Sequence, residues 1–341
     1  MQNIFAMDEK EKRKLKFLYH QGGIDTRYSV IPDYGINANE WLFYPASENL
    51  EPFPDLELRM QWYNKTAAPL SIKAIEGCIE NKIEKNDITH LITVSCTGMS
   101  APGLDLQIIE EMNLPSNIFR TSVNFMGCYA AIHALKLADA LCNNSKDAQI
   151  LIVCTELCTL HFQKELNVDN ITSSLLFGDG SAAVLVTNDN SKHDGLHIKN
   201  FYSEVAFKGK KDMSWELSSK GFLMTLSGYI PDLIQEDFNG LIEKALHKSG
   251  LKKSDITEWC IHPGGKKILN SIEKSIGINP ERLSYSYEVL KKYGNMSSPT
   301  ILFVLKEIME NLKLNKNTNS KIAAAAFGPG LTMETFILSN D

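Results

Sequence analysis

The 341-residue chain has no run near the roughly 20 consecutive apolar residues of a membrane-spanning helix, and its first residues lack the basic, apolar, small-residue order of a signal peptide. A cytoplasmic protein without a membrane span is expected. No basic stripe interleaved with aromatic residues runs through it, and its formal net charge is −6, so a nucleic-acid partner is not expected. Cysteine is present seven times, an odd number, without a CxxC pair, which excludes a disulfide framework and fits reduced thiols. Cys154, Cys158 and His161 in "CTELCTLH" have no fourth partner nearby, so no metal site is expected. Hydrophobic residues make up 43% and charged residues 22%, the balance of a folded globular chain with a large core.

What the chain does have is an internal repeat. "IEKNDITHLITVSCTG" (83–98) and "LKKSDITEWCIHPGG" (251–265) each lead from a polar turn through Asp-Ile-Thr into an apolar strand. Asp87 and Asp255 are 255 − 87 = 168 residues apart, and Gly127 and Gly294 are 294 − 127 = 167 apart. A third pair, "LFGDGSAAVLVTND" (176–189) and "AFGPGLTMETFILSND" (326–341), closes each half. Strands separated by helices of about 15 residues indicate βα units with buried, partly parallel sheets. The expectation is an α/β fold of two halves, 1–190 and 191–341, related by a pseudo-dyad. The second half opens with an apolar strand near residues 196–207, whereas nothing comparable precedes the charged helix of residues 8–16, so the leading strand of the first half is expected to be missing.

The duplication sets Cys128, at the glycine turn "MGCYAA", opposite Asn295 in "YGNMSSPTILF". A thiolate at a helix N-terminus is stabilised by backbone N–H groups and the helix dipole, so Cys128 is the expected nucleophile, with a lowered pKa. His262 in "IHPGG" is held at a strand end beside a loop able to approach a ligand. Asn295 supplies an amide donor. Three strand-to-helix loops thus bring a thiol, an imidazole and an amide to one place. That set suits an acyl thioester on sulfur and an oxyanion held by nitrogen donors.

These stretches, with "LFGDGSAA" and "FGPGLTMET", make the chain similar to the chalcone synthase-like type III polyketide synthases of the thiolase superfamily, from about residue 8 to 341. The resemblance implies a homodimer of thiolase-like, duplicated αβαβα five-layer sandwiches, and no cofactor or metal beyond CoA thioesters as substrates. It implies that acyl-CoA loads Cys128, that malonyl-CoA extends it by decarboxylative condensation assisted by His262 and Asn295, and that the product cyclises. Phe177 matches the family's gatekeeping phenylalanine. Met224 falls where a second one is usual, and Cys96, Cys158 and His161 fall where plant enzymes carry cavity threonines. Ala101 falls where a partner subunit's methionine is usual. Of the family's three CoA-binding cations only Lys14 is in register, with Phe17 and Gln21 at the others; Gly264, Gly265 and Lys267 are further candidates for the CoA contact. Smaller, less aromatic walls point to an aliphatic starter and an alkylpyrone or alkylresorcinol product. Other readings stay open: a ketoacyl synthase III-like single condensation, a papain-like hydrolase with the same Cys, His, Asn order, and a truncated noncatalytic paralogue.

Overall fold

The computed structural model describes residues 8–47, 49–188 and 195–340. The boundary expected at 190/191 and the chain ahead of residue 8, where a leading strand would precede the first helix, lie outside the described residues. Helix α1 (Glu9–Gln21) begins at a capping box: the Asp8 carboxylate accepts the Glu11 N–H at 2.7 Å, satisfying a donor that the first helical turn leaves free. A long strap then leads to α2 (Leu56–Ile79), N-capped by Asp55.

The first sheet has the order β2-β1-β3-β4, with β1 (His90–Ser95) at the centre between β2 (Phe119–Asn124) and β3 (Gln149–Leu157), both parallel to it. Strand β4 (Asp179–Thr187) closes it antiparallel. "HLITVS" and "QILIVCTEL" are apolar runs without alternation because helices cover both faces. Those helices are α2 and α3 (Leu104–Met112) outside, and α4 (Ala130–Asn144) inside. Helix α5 (Val168–Leu176) leads into β4.

The second sheet has the order β5-β10-β9-β8. Here β8 (Glu258–Ile261) and β9 (Lys321–Gly328) are parallel, and β10 (Thr332–Ser339) runs antiparallel between β9 and β5 (His197–Val205). The hairpin β6 (Met213–Ser218) with β7 (Gly221–Leu226) projects from this half. Helices α6 (Ile230–Lys248) and α7 (Lys266–Ile276) cover the outer face; α8 (Ser284–Tyr293) and α9 (Thr300–Leu314) follow.

The repeat is visible strand by strand. β1 and β8 begin at residues 90 and 258, keeping the 168-residue offset, and α4 and α9 are 15 residues each. These two helices share one core with the inner faces of both sheets, and two further cores lie under the outer helices. The result is the five-layer αβαβα sandwich. Alanines 130, 131, 134 and 138 on α4 are fully buried, and their small side chains let a helix fit between two sheets at native packing density.

Candidate active site

Strands that run parallel present their C-terminal ends to one side of a sheet, and the chemistry-bearing loops gather there. Cys96 follows β1, Cys128 follows β2 and His262 follows β8, while Asn295 follows α8. Cys128, His262 and Asn295 line one cavity of about 650 Å³, together with Cys96, Phe177, Met224, Cys158, His161 and Gly264. Lys14, Gly265 and Lys267 lie outside that lining, and Ala101 lines a separate pocket of about 370 Å³ beside Arg120 on β2.

Cys128 sits in the turn before α4, two residues ahead of the first helical position rather than inside the first turn. The turn depends on Gly127, whose φ is +83° and whose missing Cβ would lie 2.3 Å from Pro329 Cδ. Gly127→Ala is therefore expected to cost about 2–3 kcal/mol from a left-handed backbone and a clash together. A urea midpoint lowered by that free energy divided by the m-value is the expected result; an unchanged midpoint would show that the turn relaxes freely.

The Cys128 thiol is not poised as a resting thiolate. Burial pushes it up to about 11, the Glu156 carboxyl adds to that, and hydrogen bonds from Ser297 and Asn295 act the other way without winning. The lowered pKa expected from a helix N-terminus is thus corrected. Desolvation exceeds what the turn's dipoles return. Glu156 lies behind the site: it accepts from Cys96 N–H (2.8 Å), Thr97 Oγ1 (2.9 Å) and Ser298 Oγ (2.7 Å), and burial raises it to about 7.

Asn295 is 2% exposed, and its orientation is set by its neighbours. Its Oδ1 accepts the Ser297 N–H at 2.8 Å, which turns the amide N–H₂ toward the thiol and the cavity. Its backbone bridges to the first half: Asn295 N–H donates to Leu176 O (2.9 Å), and Gly178 N–H donates to Asn295 O (3.0 Å), pairing Asn295 with Phe177. His262 is 1% exposed, and neither ring nitrogen has a protein partner. Burial alone brings its pKa down to about 3, so the ring is neutral.

His161 has a different part. Its Nε2 bonds the Thr97 carbonyl at 2.7 Å, its Nδ1 accepts the Phe222 N–H at 3.1 Å, and the ring stacks on Phe222 with centroids 4.2 Å apart. Trp215 Nε1 donates to Cys96 O at 2.7 Å and meets His161 edge-on. The locked ring is a wall, not a proton carrier. Trp215 and Phe222, on the β6–β7 hairpin, and the strap of residues 24–35 also line the cavity, and the sequence motifs did not single them out. Nothing local in "SSKGF" says that this hairpin folds over the Cys128 loop. Among the described residues no three His, Cys, Asp or Glu side chains are grouped to hold a metal, and no helix is long and apolar enough to cross a membrane.

The chain is 31% identical over 99% of its length to "Probable polyketide synthase 1" of Dictyostelium discoideum, of which it spans 11%. It is 28% identical over 96% of its length to the "Alpha-pyrone synthesis polyketide synthase-like Pks18" of Mycobacterium tuberculosis, spanning 82% of that protein. Its fold superposes on PKS-I of the brown alga Ectocarpus siliculosus with a TM-score of 0.90 at 27% identity, covering 97% of this chain and 90% of that one. The family models for the N-terminal and C-terminal domains of chalcone and stilbene synthases match residues 3–190 and 200–340. The thiol, imidazole and amide thus stand in a chain that belongs to the chalcone and stilbene synthase family, the type III polyketide synthases.

Proposed function

We propose that the protein is an acyltransferase that builds a short polyketide from CoA thioesters, with Cys128 as the acyl carrier. The Cys128 sulfur attacks the starter thioester carbonyl, and CoA leaves as its thiol with the sulfur's proton. Malonyl-CoA then loses CO₂; the bonding pair flows into an enolate whose oxygen is held by N–H donors of His262 and Asn295. The enolate carbon attacks the Cys128 thioester, expels the thiolate, and gives an acyl-CoA longer by two carbons, which reloads and repeats before ring closure. No resident cofactor or metal enters any step.

The observation that carries this reading is the pair of unpartnered ring nitrogens on His262, buried at the cavity that Cys128 and Asn295 also line. A buried polar group without a partner is costly unless a ligand supplies one. A substrate oxygen would fill that place. Leu18, Ile24, Leu175, Leu226, Met213 and Met224 in the lining support an aliphatic starter and an alkylpyrone or alkylresorcinol product, with Phe177 and Met224 at the neck. Lys14, Gly264, Gly265 and Lys267 are proposed for the CoA moiety. A second copy is proposed to pair along β2, an edge strand whose Phe119 is 70% exposed, bringing Ala101 near the partner's cavity.

The test is mass spectrometry of products from malonyl-CoA with a ladder of acyl-CoA starters. Cyclic tri- or tetraketides peaking with aliphatic starters are the expected result. Linear products extended once would favour the single-condensation reading, and acceptance of aromatic starters only would overturn the aliphatic one.

A further inference from the structure

Residues 25–31 are hydrogen-bonded to both halves of the molecule at the cavity rim. On one side the Asp25 and Thr26 N–H groups donate to Lys291 O at 2.8 and 3.2 Å, and the Tyr28 ring lies 5.8 Å from that of Tyr293. On the other, Val30 N–H donates to Asp179 Oδ2 at 2.9 Å, and the Ser29 and Thr159 hydroxyls are 2.7 Å apart. Arg27 is at the middle. Its Nη1 donates to Phe177 O at 3.0 Å and to Ser174 O, where the carbonyls at the end of α5 carry partial negative charge. The stem of Arg27 fills space that two glycines leave open: a Cβ on Gly294 (φ +68°) would lie 2.8 Å from Arg27 Cγ, and one on Gly178 3.3 Å from its Cβ.

Gly178 and Gly294 flank the Phe177–Asn295 bridge. The guanidinium and stem of Arg27 therefore hold both strands of that bridge from one side, whereas the turn that carries Cys128 is braced by Cys96, whose sulfur accepts the Gly127 N–H, and by Pro329. Among the described residues that line the cavity, Arg27 carries the one permanent positive charge, and it is turned to backbone carbonyls. We propose that Arg27 is a positioning residue that clamps the Phe177–Asn295 bridge, and so fixes the Asn295 amide for decarboxylation, with a lesser effect on starter loading. The inference rests on the function proposed above.

Arg27→Ala and Arg27→Lys test it, with CO₂ release from malonyl-CoA and acyl transfer to Cys128 measured separately. Displacing a donor by about 1 Å costs on the order of a hundredfold. Arg27→Ala should lower kcat for CO₂ release by about that factor, with KM unchanged and the loading rate lowered far less. Arg27→Lys keeps a charged nitrogen that can donate to both carbonyls, as the single Nη1 does, but lacks the guanidinium's breadth beside the two glycines, and should recover part of it. Parallel loss of loading and decarboxylation that follows a lower Tm would make Arg27 a staple only, and a raised KM at constant kcat would make it a CoA contact; either overturns the proposal, as does an unchanged kcat. Wild-type protein that releases no CO₂ overturns the proposed function instead, and the crystal structure of Arg27→Ala then decides the clamp by whether the bridge of residues 177 and 295 opens or stays.

Discussion

Replacing Cys128 by alanine is expected to lower the yield of elongated product by about 10⁴-fold or more, since removing a nucleophile that forms the covalent intermediate leaves only binding and oxyanion stabilisation. The side chain is buried at the cavity and held by its own turn, so the loss reports chemistry rather than unfolding. CO₂ release from malonyl-CoA should survive in the same variant, because the donors proposed to hold the enolate are on His262 and Asn295. Elongated product that persists in Cys128→Ala would mean that the growing chain is not carried on this sulfur. In the free wild-type protein the thiol is pushed up to about 11, so the thiolate is the minor form at neutral pH. The thiolate is the nucleophile, and its population below the pKa grows about tenfold per pH unit. Iodoacetamide should therefore modify Cys128 about ten times faster for each unit between pH 7 and 10. A flat rate across that range would show a thiolate already formed at neutrality.

The duplication was legible because it lies in local pattern: Asp-Ile-Thr before an apolar strand, a glycine before a long helix, and Phe-Gly-x-Gly before a closing strand. Asp87 and Asp255 both end a short 3₁₀ turn ahead of β1 and β8, and a constant offset of 168 residues requires no tertiary knowledge. The meeting of Cys128, His262 and Asn295 at one cavity was legible for the same reason, although Asn295 follows helix α8 and not the strand expected ahead of it. The Cys128 pKa was not, because it is decided by how completely other segments remove water from the turn. A motif shows the dipole and the neighbours in sequence, not the depth of burial. The Arg27 clamp was equally hidden. Its contacts reach 147 residues along the chain to Ser174 and 150 to Phe177, and "DTRYS" has no local mark that separates it from an exposed loop. His161 stood out for its residue type, and only the three-dimensional contacts show both ring nitrogens already occupied by backbone groups.

His262→Ala should lower CO₂ release from malonyl-CoA by about 10²–10³-fold, the usual cost of removing one oxyanion donor. The pH dependence distinguishes how the ring acts. Burial lowers its pKa to about 3 from the ordinary 6.5, so protons reach it only in strong acid and the neutral ring keeps an N–H to donate at every working pH. The expected rate therefore shows no inflection near pH 6.5. A proton-carrying histidine at its ordinary pKa would give one there, with the protonated ring populated as pH falls. Glu156, raised to about 7 by burial, ionises as pH rises through neutrality and places a charge near Cys128, so it can produce a limb of its own. Glu156→Gln separates the two. A limb that vanishes in that variant belongs to Glu156, whereas an inflection near 6.5 that survives it would show that the working enzyme protonates His262 and that the neutral-donor mechanism is wrong.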